Sequence, residues 1–256
     1  MTHSNRILIL LFSFFAFNAL RSQPKIASKK DIYVIVHGAW GGGWAFKTVD
    51  SLLTSKNAMV YRPTLTGQGE RAHLASPNIG LQTHIDDIVN TILFEDLYQV
   101  ILVGHSYGGI VITGVANSIP NRIQKLIYLD AVVPRDNESG ETILGVMGGG
   151  QMKEVNGGIV PPWVKEGTPP PKDVPHPKKT WTDKIVLENK DRLKISTSYI
   201  FTVEKGTNPK DDGFATQAAR AKENGWSVTQ IEGDHNMQWS NPEKLVETLL
   251  KVVKEK

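Results

Sequence analysis

The sequence contains no cysteine among its 256 residues. This absence excludes disulfide bonds, a cysteine nucleophile and the lipid-modified cysteine of an anchored lipoprotein. A strong charge of either sign is also lacking, because 29 basic residues face 26 acidic ones, and two of the basic residues, Arg6 and Arg21, lie at the N-terminus. This balance gives no reason to expect a nucleic acid or an anionic surface as a partner.

Long hydrophobic runs are confined to the N-terminus. Residues 7–17 are apolar except for Ser13 and follow the basic Arg6, which is typical of a secretory signal peptide and is short for a membrane span. We therefore predict a signal peptide over residues 1–22, an exported protein that is periplasmic or secreted, and no stable membrane insertion after removal of the peptide. An uncleaved membrane anchor is the alternative interpretation.

The remaining chain, residues 23–256, has the pattern of one α/β domain. Buried strand patterns alternate with amphipathic helix patterns, which favours a mostly parallel central sheet with helices on both faces. A segment of about residues 134–190 departs from this alternation, because it contains glycine runs such as 148–150 and proline runs such as 169–171. We predict that this segment is an irregular lid insertion that packs over the site.

The pentapeptide Gly104-His105-Ser106-Tyr107-Gly108 is the strongest local signal in the chain. It follows the apolar run 100–103 and precedes a helical pattern, so Gly-x-Ser-x-Gly stands between a strand and a helix. A serine on such a sharp turn needs neighbours without a Cβ atom. The spacing predicts Ser106 as a nucleophile exposed at the carboxyl end of the sheet, and His105 is expected to point away from it.

A serine hydroxyl needs a base that is itself oriented by a third group. His235 follows the last predicted strand and completes the chain order serine, acid, histidine, so we predict it as the base. Two carboxylates compete for the role of the acid. We favour Glu204, which follows the penultimate strand, and Asp130, which ends the strand after the nucleophile helix, is the alternative.

Attack on a carbonyl creates an oxyanion that requires fixed hydrogen-bond donors. The backbone N–H of Tyr107, directly after the nucleophile, is one predicted donor. The loop after the first strand supplies the other, for which we choose the backbone N–H of Ala39. This chemistry requires neither a cofactor nor a metal.

Taken together, these motifs resemble the α/β-hydrolases, in the branch that holds EstC-like and pyrethroid-type carboxylesterases, plant methylesterases and hydroxynitrile lyases. The resemblance spans nearly all of residues 31–254 and is densest in five stretches: His37-Gly38-Ala39-Trp40, residues 67–73, residues 104–109, residues 128–134 and Gly233-Asp234-His235. It implies Ser106 and His235 as triad members and the amides of Ala39 and Tyr107 as the oxyanion hole, in agreement with the residue-based interpretation.

The chain departs from this family pattern at the acid and in the features of the lyases. Many relatives carry aspartate in the loop that holds Glu204, which keeps Asp130 open as the acid. The lyases have a lysine directly after the catalytic histidine and a threonine in the first loop, where this chain has Asn236 and Gly38. Cyanohydrin cleavage is therefore not expected.

We expect a serine carboxylic ester hydrolase that acts on hydrophobic small-molecule esters through an acyl-enzyme. Lyase or perhydrolase chemistry on the same triad is one alternative, and a non-catalytic ligand-binding homologue is another. The apolar, tryptophan-bearing insertion suggests a hydrophobic substrate. Trp163 and Trp181 are each expected either to line the pocket or to pack the lid.

Overall fold

The computed structural model describes residues 30–145 and 152–255. The predicted signal peptide, residues 1–22, lies outside this part of the chain, and so does the glycine run 148–150. Within the described ranges, no helix is both long and apolar enough to cross a membrane.

A six-stranded parallel sheet forms the centre of the fold. The described strands are β1 (Ile32–Val36), β2 (Met59–Tyr61), β3 (Val100–His105), β4 (Ile123–Leu129), β5 (Lys153–Val155), β6 (Gly158–Val160), β7 (His176–Pro177), β8 (Ser196–Val203) and β9 (Ser227–Glu232). The large sheet has the order β2-β1-β3-β4-β8-β9, and its neighbouring strands all run parallel. The predicted mostly parallel sheet is thereby confirmed.

Helices cover both faces of this sheet. The described α-helices are α1 (Lys47–Ser55), α2 (Leu81–Phe94), α3 (Gly108–Ser118), α4 (Gly140–Leu144), α5 (Lys179–Thr182), α6 (Ala215–Glu223), α7 (Met237–Ser240) and α8 (Pro242–Lys254). One apolar core contains side chains of α2, α3 and α6, and a second core, on the opposite face, contains side chains of α1 and α8.

The sequence of β3 shows why the central strands read as continuous apolar runs. Every residue of this strand is buried. Val100 and Leu102 belong to one core, whereas Ile101 and Val103 belong to the other. Successive side chains of a strand point to opposite faces, so a strand covered on both faces must be apolar at every position.

The lid insertion lies between β4 and β8. It contains more helices and strands than its sequence predicts. It contains α4, α5 and a small antiparallel sheet with the strand order β5-β6-β7. These elements are only two to five residues long, in keeping with the many glycines and prolines that interrupt the segment.

Candidate active site

Ser106 lies on the sharp turn between β3 and α3, with a left-handed φ of 54°. Its carbonyl oxygen accepts a hydrogen bond from the amide of Val132 at 3.0 Å, so the turn is fastened to the chain that follows β4. A Cβ atom at Gly108 would lie 2.6 Å from the carbonyl oxygen of Val36, and one at Gly104 would lie 2.7 Å from that of Gly108. The predicted need for glycine on both sides of the serine is confirmed.

His235 is bonded to Asp130. The distance from His235 Nδ1 to Asp130 Oδ2 is 2.6 Å, and the amide of Thr202 donates to Asp130 Oδ1 at 3.3 Å. Burial raises the pKa of the Asp130 carboxyl, and the hydrogen bond from His235 opposes that rise. The contact leaves Nε2 as the ring nitrogen of His235 that is available for proton transfer.

Glu204, the favoured acid of the sequence analysis, does not reach this histidine. It is exposed in the turn that follows β8. The amide of Gly233 donates to the carbonyl of Val203 at 3.0 Å, so β8 remains hydrogen-bonded to its neighbour as far as the residue before Glu204. The chain turns away from the site only at Glu204. The predicted placement of Glu204 beside His235 is therefore wrong, and the carboxylate that His235 contacts is Asp130, the alternative.

Two further residues hold His235 in place, and neither of them has a role predicted from the sequence. His105 Nε2 lies 2.8 Å from the carbonyl oxygen of His235 and donates to it in the neutral tautomer that carries this proton. The ring of Phe214 stacks on the His235 ring at 4.7 Å with an interplanar angle of 13°. The position of His105 within the pentapeptide was an available signal, whereas nothing in the sequence marks Phe214.

Ala39 and Tyr107, the predicted oxyanion donors, lie on the two loops that flank Ser106. Ala39 follows β1 and lines the same cavity as Ser106, while Tyr107 directly precedes α3. Among the turn and loop hydrogen bonds of the described residues, none is donated by the amide of either residue. Both amides therefore fit the predicted role.

Trp40, the next residue of the first loop, is held by the lid. Its amide donates to His176 Nδ1 at 3.3 Å, its indole N–H donates to the carbonyl of Ile159 at 3.1 Å, and its carbonyl accepts from the amide of Val174 at 2.8 Å. Trp40 also adopts a left-handed φ of 64°, which is strained for a residue of this size. The lid thus fixes the backbone that presents the Ala39 amide.

Replacing Trp40 by phenylalanine tests this anchorage. We expect Trp40→Phe to lower the free energy of unfolding by about 1–3 kcal/mol, because the carbonyl of Ile159 loses its hydrogen-bond donor. Urea denaturation measures the loss. Trp239→Phe is the control, since this residue is 50% exposed and its indole N–H donates no hydrogen bond to any described residue, so the change should cost less than about 1 kcal/mol. Equal losses in the two variants would refute the anchoring role.

Four histidines are buried behind the site: His37, His84, His105 and His176. Burial lowers the pKa of His37 and of His84 to about 4, and it lowers the pKa values of His105 and His176 well below the ordinary range. Each ring is therefore neutral in the folded protein at pH 7. His84 uses both nitrogens, with Nδ1 3.0 Å from the Tyr107 hydroxyl and Nε2 2.9 Å from the Thr66 carbonyl oxygen.

These lowered pKa values predict acid instability. The unfolded chain binds these protons near pH 6.5, whereas the folded chain does so only near pH 4, so stability is complete above pH 6.5 and is lost as the pH falls toward 4. At pH 5 the loss amounts to about 2 kcal/mol for each histidine with a folded pKa near 4. Urea denaturation at pH 7, 6 and 5 checks the trend. The slope should be shallower in His84→Gln than in the exposed-site control His73→Gln, and equal slopes would contradict the account.

A cavity of about 240 Å³ opens at Ser106 and His235. Aromatic side chains form much of its wall, namely Trp40, Phe46, Trp163 and Trp239. Trp181, in contrast, is buried and packs on the ring of Tyr107 at 5.0 Å, so it belongs to the interior of the lid. In the described part of the chain, no group of three or more potential ligands could hold a metal ion.

We compared the chain with known proteins, with its strand order, serine turn and histidine–aspartate contact in view. Residues 33–248 match the profile of the Alpha/beta hydrolase family. The chain belongs to this family. A solved member, the pyrethroid hydrolase from Sphingobium faniae JZ-2, superposes with a TM-score of 0.69 at 22% identity, and the match covers 88% of this chain and 98% of that one.

Two curated relatives are esterases or hydrolases by name. The "Carbendazim hydrolyzing esterase" of Nocardioides sp. strain SG-4G is 49% identical over 115 residues, which are 45% of this chain and 46% of that protein. The "Pyrethroid hydrolase" of Sphingobium wenxiniae is 34% identical over 113 residues, 43% of this chain and 39% of that protein. The chain thus matches these two relatives over less than half of their length.

Proposed function

We propose that this α/β-hydrolase is a serine carboxylic ester hydrolase. The observation that carries the proposal is the contact between His235 Nδ1 and Asp130 Oδ2 at 2.6 Å, beside a cavity that also contains Ser106. A histidine held in this way by a buried carboxylate presents its other nitrogen to a nucleophile. The esterase and hydrolase names of the relatives support the same reaction class.

The reaction proceeds through an acyl-enzyme. Ser106 Oγ attacks the ester carbonyl while His235 Nε2 accepts its proton, and Asp130 stabilises the imidazolium that results. The bond to the alkoxy group then breaks, and His235 returns the proton to the departing alcohol. Water attacks the acyl group with the same base, releasing the carboxylic acid and restoring the Ser106 hydroxyl.

The amides of Ala39 and Tyr107 stabilise the tetrahedral oxyanion in this proposal. Each donor of this type contributes about 3 kcal/mol to lowering the barrier. The distance between these two amides depends on two loops, and each loop is held by its own set of hydrogen bonds. The turn at Ser106 is fastened to the chain after β4, and the first loop is fastened to the lid through Trp40.

A hydrophobic ester fits the aromatic lining of the cavity. Lyase chemistry on the same residues receives less support from the first loop. A Cβ atom at Gly38 would lie 3.0 Å from the Cβ atom of Ser106 and 3.1 Å from His105 Nδ1, so the loop has little room there for the threonine of the lyases. Gly38 has no side chain, so this loop lacks the hydroxyl that the threonine of the lyases supplies.

Export of the protein also remains a proposal. The support for it is the apolar run 7–17 behind Arg6. The mature protein, periplasmic or secreted, would consist of the hydrolase domain with its lid. Fractionation of cells that express the full chain, followed by N-terminal sequencing of the product, tests this proposal.

A series of p-nitrophenyl esters with acyl chains of two to twelve carbons tests the proposed activity. We expect turnover without added metal or cofactor, with an optimum chain length that reflects the size of the cavity. Inhibition by an organophosphate should follow, because it reacts with an activated serine. Failure to turn over any ester, together with a lack of inhibition, would leave a non-catalytic ligand-binding role as the better description.

A further inference from the structure

Asp173 is a carboxylate in the wall of the catalytic cavity that the proposed mechanism does not use. It lies in the lid, is partly buried and lines the same cavity as Ser106 and His235. Burial raises the pKa of its carboxyl group, and among the described residues no basic side chain forms a salt bridge with it. A partly buried carboxylate without a basic partner in the protein is stabilised by a hydrogen-bond donor on a bound ligand.

The contacts of Asp173 fix its position and leave one oxygen available. Its Oδ2 atom accepts a hydrogen bond from the indole N–H of Trp163 at 3.0 Å. The next residue, Val174, donates its amide to the carbonyl of Trp40 at 2.8 Å, which holds this stretch of the lid against the oxyanion loop. The Oδ1 atom accepts no hydrogen bond from any residue that the structure describes, and a Cβ atom at Gly41 would lie 3.9 Å from it.

The position of Asp173 also places it on the route of a larger substrate. A second cavity, of about 710 Å³, runs between the lid and residues 72–76, and Asp173 lines both this cavity and the one at Ser106. The smaller cavity holds about 240 Å³. A substrate that reaches from the smaller cavity toward the larger one would therefore pass the Asp173 carboxylate.

We propose, on the basis of the esterase function above, that Asp173 is a specificity-determining residue that accepts a hydrogen bond from the substrate. The preferred substrates are then esters or carbamates that carry an N–H donor several bonds from the scissile carbonyl or adjacent to it. A neutral N–H and a protonated amine share this chemistry. A hydrogen bond to a charged acceptor changes affinity by about tenfold or more.

Two pairs of isosteric substrates test the proposal. Methyl N-phenylcarbamate and methyl phenylacetate differ by an N–H in place of a CH₂. Protonated 2-(dimethylamino)ethyl butyrate and 3-methylbutyl butyrate differ by a charged N–H in place of a C–H. The quantity measured is the ratio of the two kcat/KM values within each pair. When variants are compared, the intrinsic reactivity of the substrates cancels from this ratio. The ratio also does not depend on the fraction of enzyme that is folded.

We expect Asp173→Asn, which retains an acceptor for the Trp163 indole, to lower this ratio about tenfold in at least one pair. Loss in the amine pair alone identifies a cation, and loss in the carbamate pair alone identifies a neutral donor. Glu188→Gln removes the same charge from an exposed part of the lid that lines neither cavity, and it should preserve both ratios.

Ratios that stay within twofold in Asp173→Asn, or that change equally in Glu188→Gln, would overturn the specificity role. A wild-type enzyme that turns over none of the four compounds nor the p-nitrophenyl esters would instead overturn the proposed esterase function, and the specificity role with it.

Discussion

Asp130→Asn should lower kcat by about 10³–10⁴-fold with little change in KM. The carboxylate of Asp130 accepts a hydrogen bond from the N–H at His235 Nδ1, so it selects the tautomer whose Nε2 is free to act as a base. Asparagine has nearly the same shape but can donate its amide N–H to that nitrogen, which favours the opposite tautomer. Its oxygen can still accept from the amide of Thr202, so the fold should survive.

Glu204→Gln is the matched control for this substitution. It also removes one carboxylate near the end of a strand, but from an exposed side chain that does not contact His235. We expect its kcat to remain within about twofold of the wild type, in keeping with a surface substitution. A larger loss in Glu204→Gln than in Asp130→Asn would contradict the geometry and return the acid to the loop after β8.

Ser106→Ala should lower kcat/KM by at least about 10⁴-fold. Alanine lacks the attacking oxygen, and no second hydroxyl takes its place on the turn. It also tolerates the left-handed φ of 54° about as well as serine does, so the free energy of unfolding should change little. Steady-state kinetics on the preferred ester and urea denaturation together separate the loss of chemistry from a loss of fold.

Ser118→Ala provides the comparison for the nucleophile. Ser118 lies at the end of the same helix, is exposed, and donates its hydroxyl to the carbonyl of Gly114. Its replacement should leave kcat/KM within about twofold. Comparable activity of Ser106→Ala and Ser118→Ala would show that the hydrolysis does not depend on the predicted serine.

The positions of Ser106 and His235 could be predicted because the signals for them are local. The pentapeptide around Ser106 identifies a turn whose glycines are required by close backbone contacts within a few residues. His235 directly follows the last strand of the sheet, so its location at the carboxyl edge follows from the alternation of elements. Most of the strands and helices follow from the same periodicity.

The carboxylate that contacts His235 could not be predicted in this way. Asp130 and Glu204 both follow strands that end at the same edge of the sheet, and the sequence does not say which side chain turns toward His235. In the structure, Asp130 adopts a left-handed φ of 44° that turns it into the site. Tertiary contacts impose this conformation, among them the amide of Asp130 donating to the carbonyl of Ile200 at 2.8 Å.

The lid, too, could be predicted from the sequence only in part. Its glycines and prolines predict a broken chain, and its tryptophans predict a covering role. The functions of the tryptophans depend on contacts between distant segments. Trp181 packs on Tyr107, whereas Trp163 contacts Asp173 and lines the cavity at Ser106, and nothing in their sequence neighbourhoods separates the two.

Covalent labelling tests the central claim, that Ser106 is a nucleophile activated by His235 and Asp130. The full chain is treated with a fluorophosphonate, digested and analysed by mass spectrometry, beside His235→Ala and Asp130→Asn. The account predicts one adduct on the peptide that contains Ser106, with labelling slowed by at least a hundredfold in His235→Ala and strongly slowed in Asp130→Asn. An adduct on another residue, or equal labelling rates in all three proteins, would contradict it.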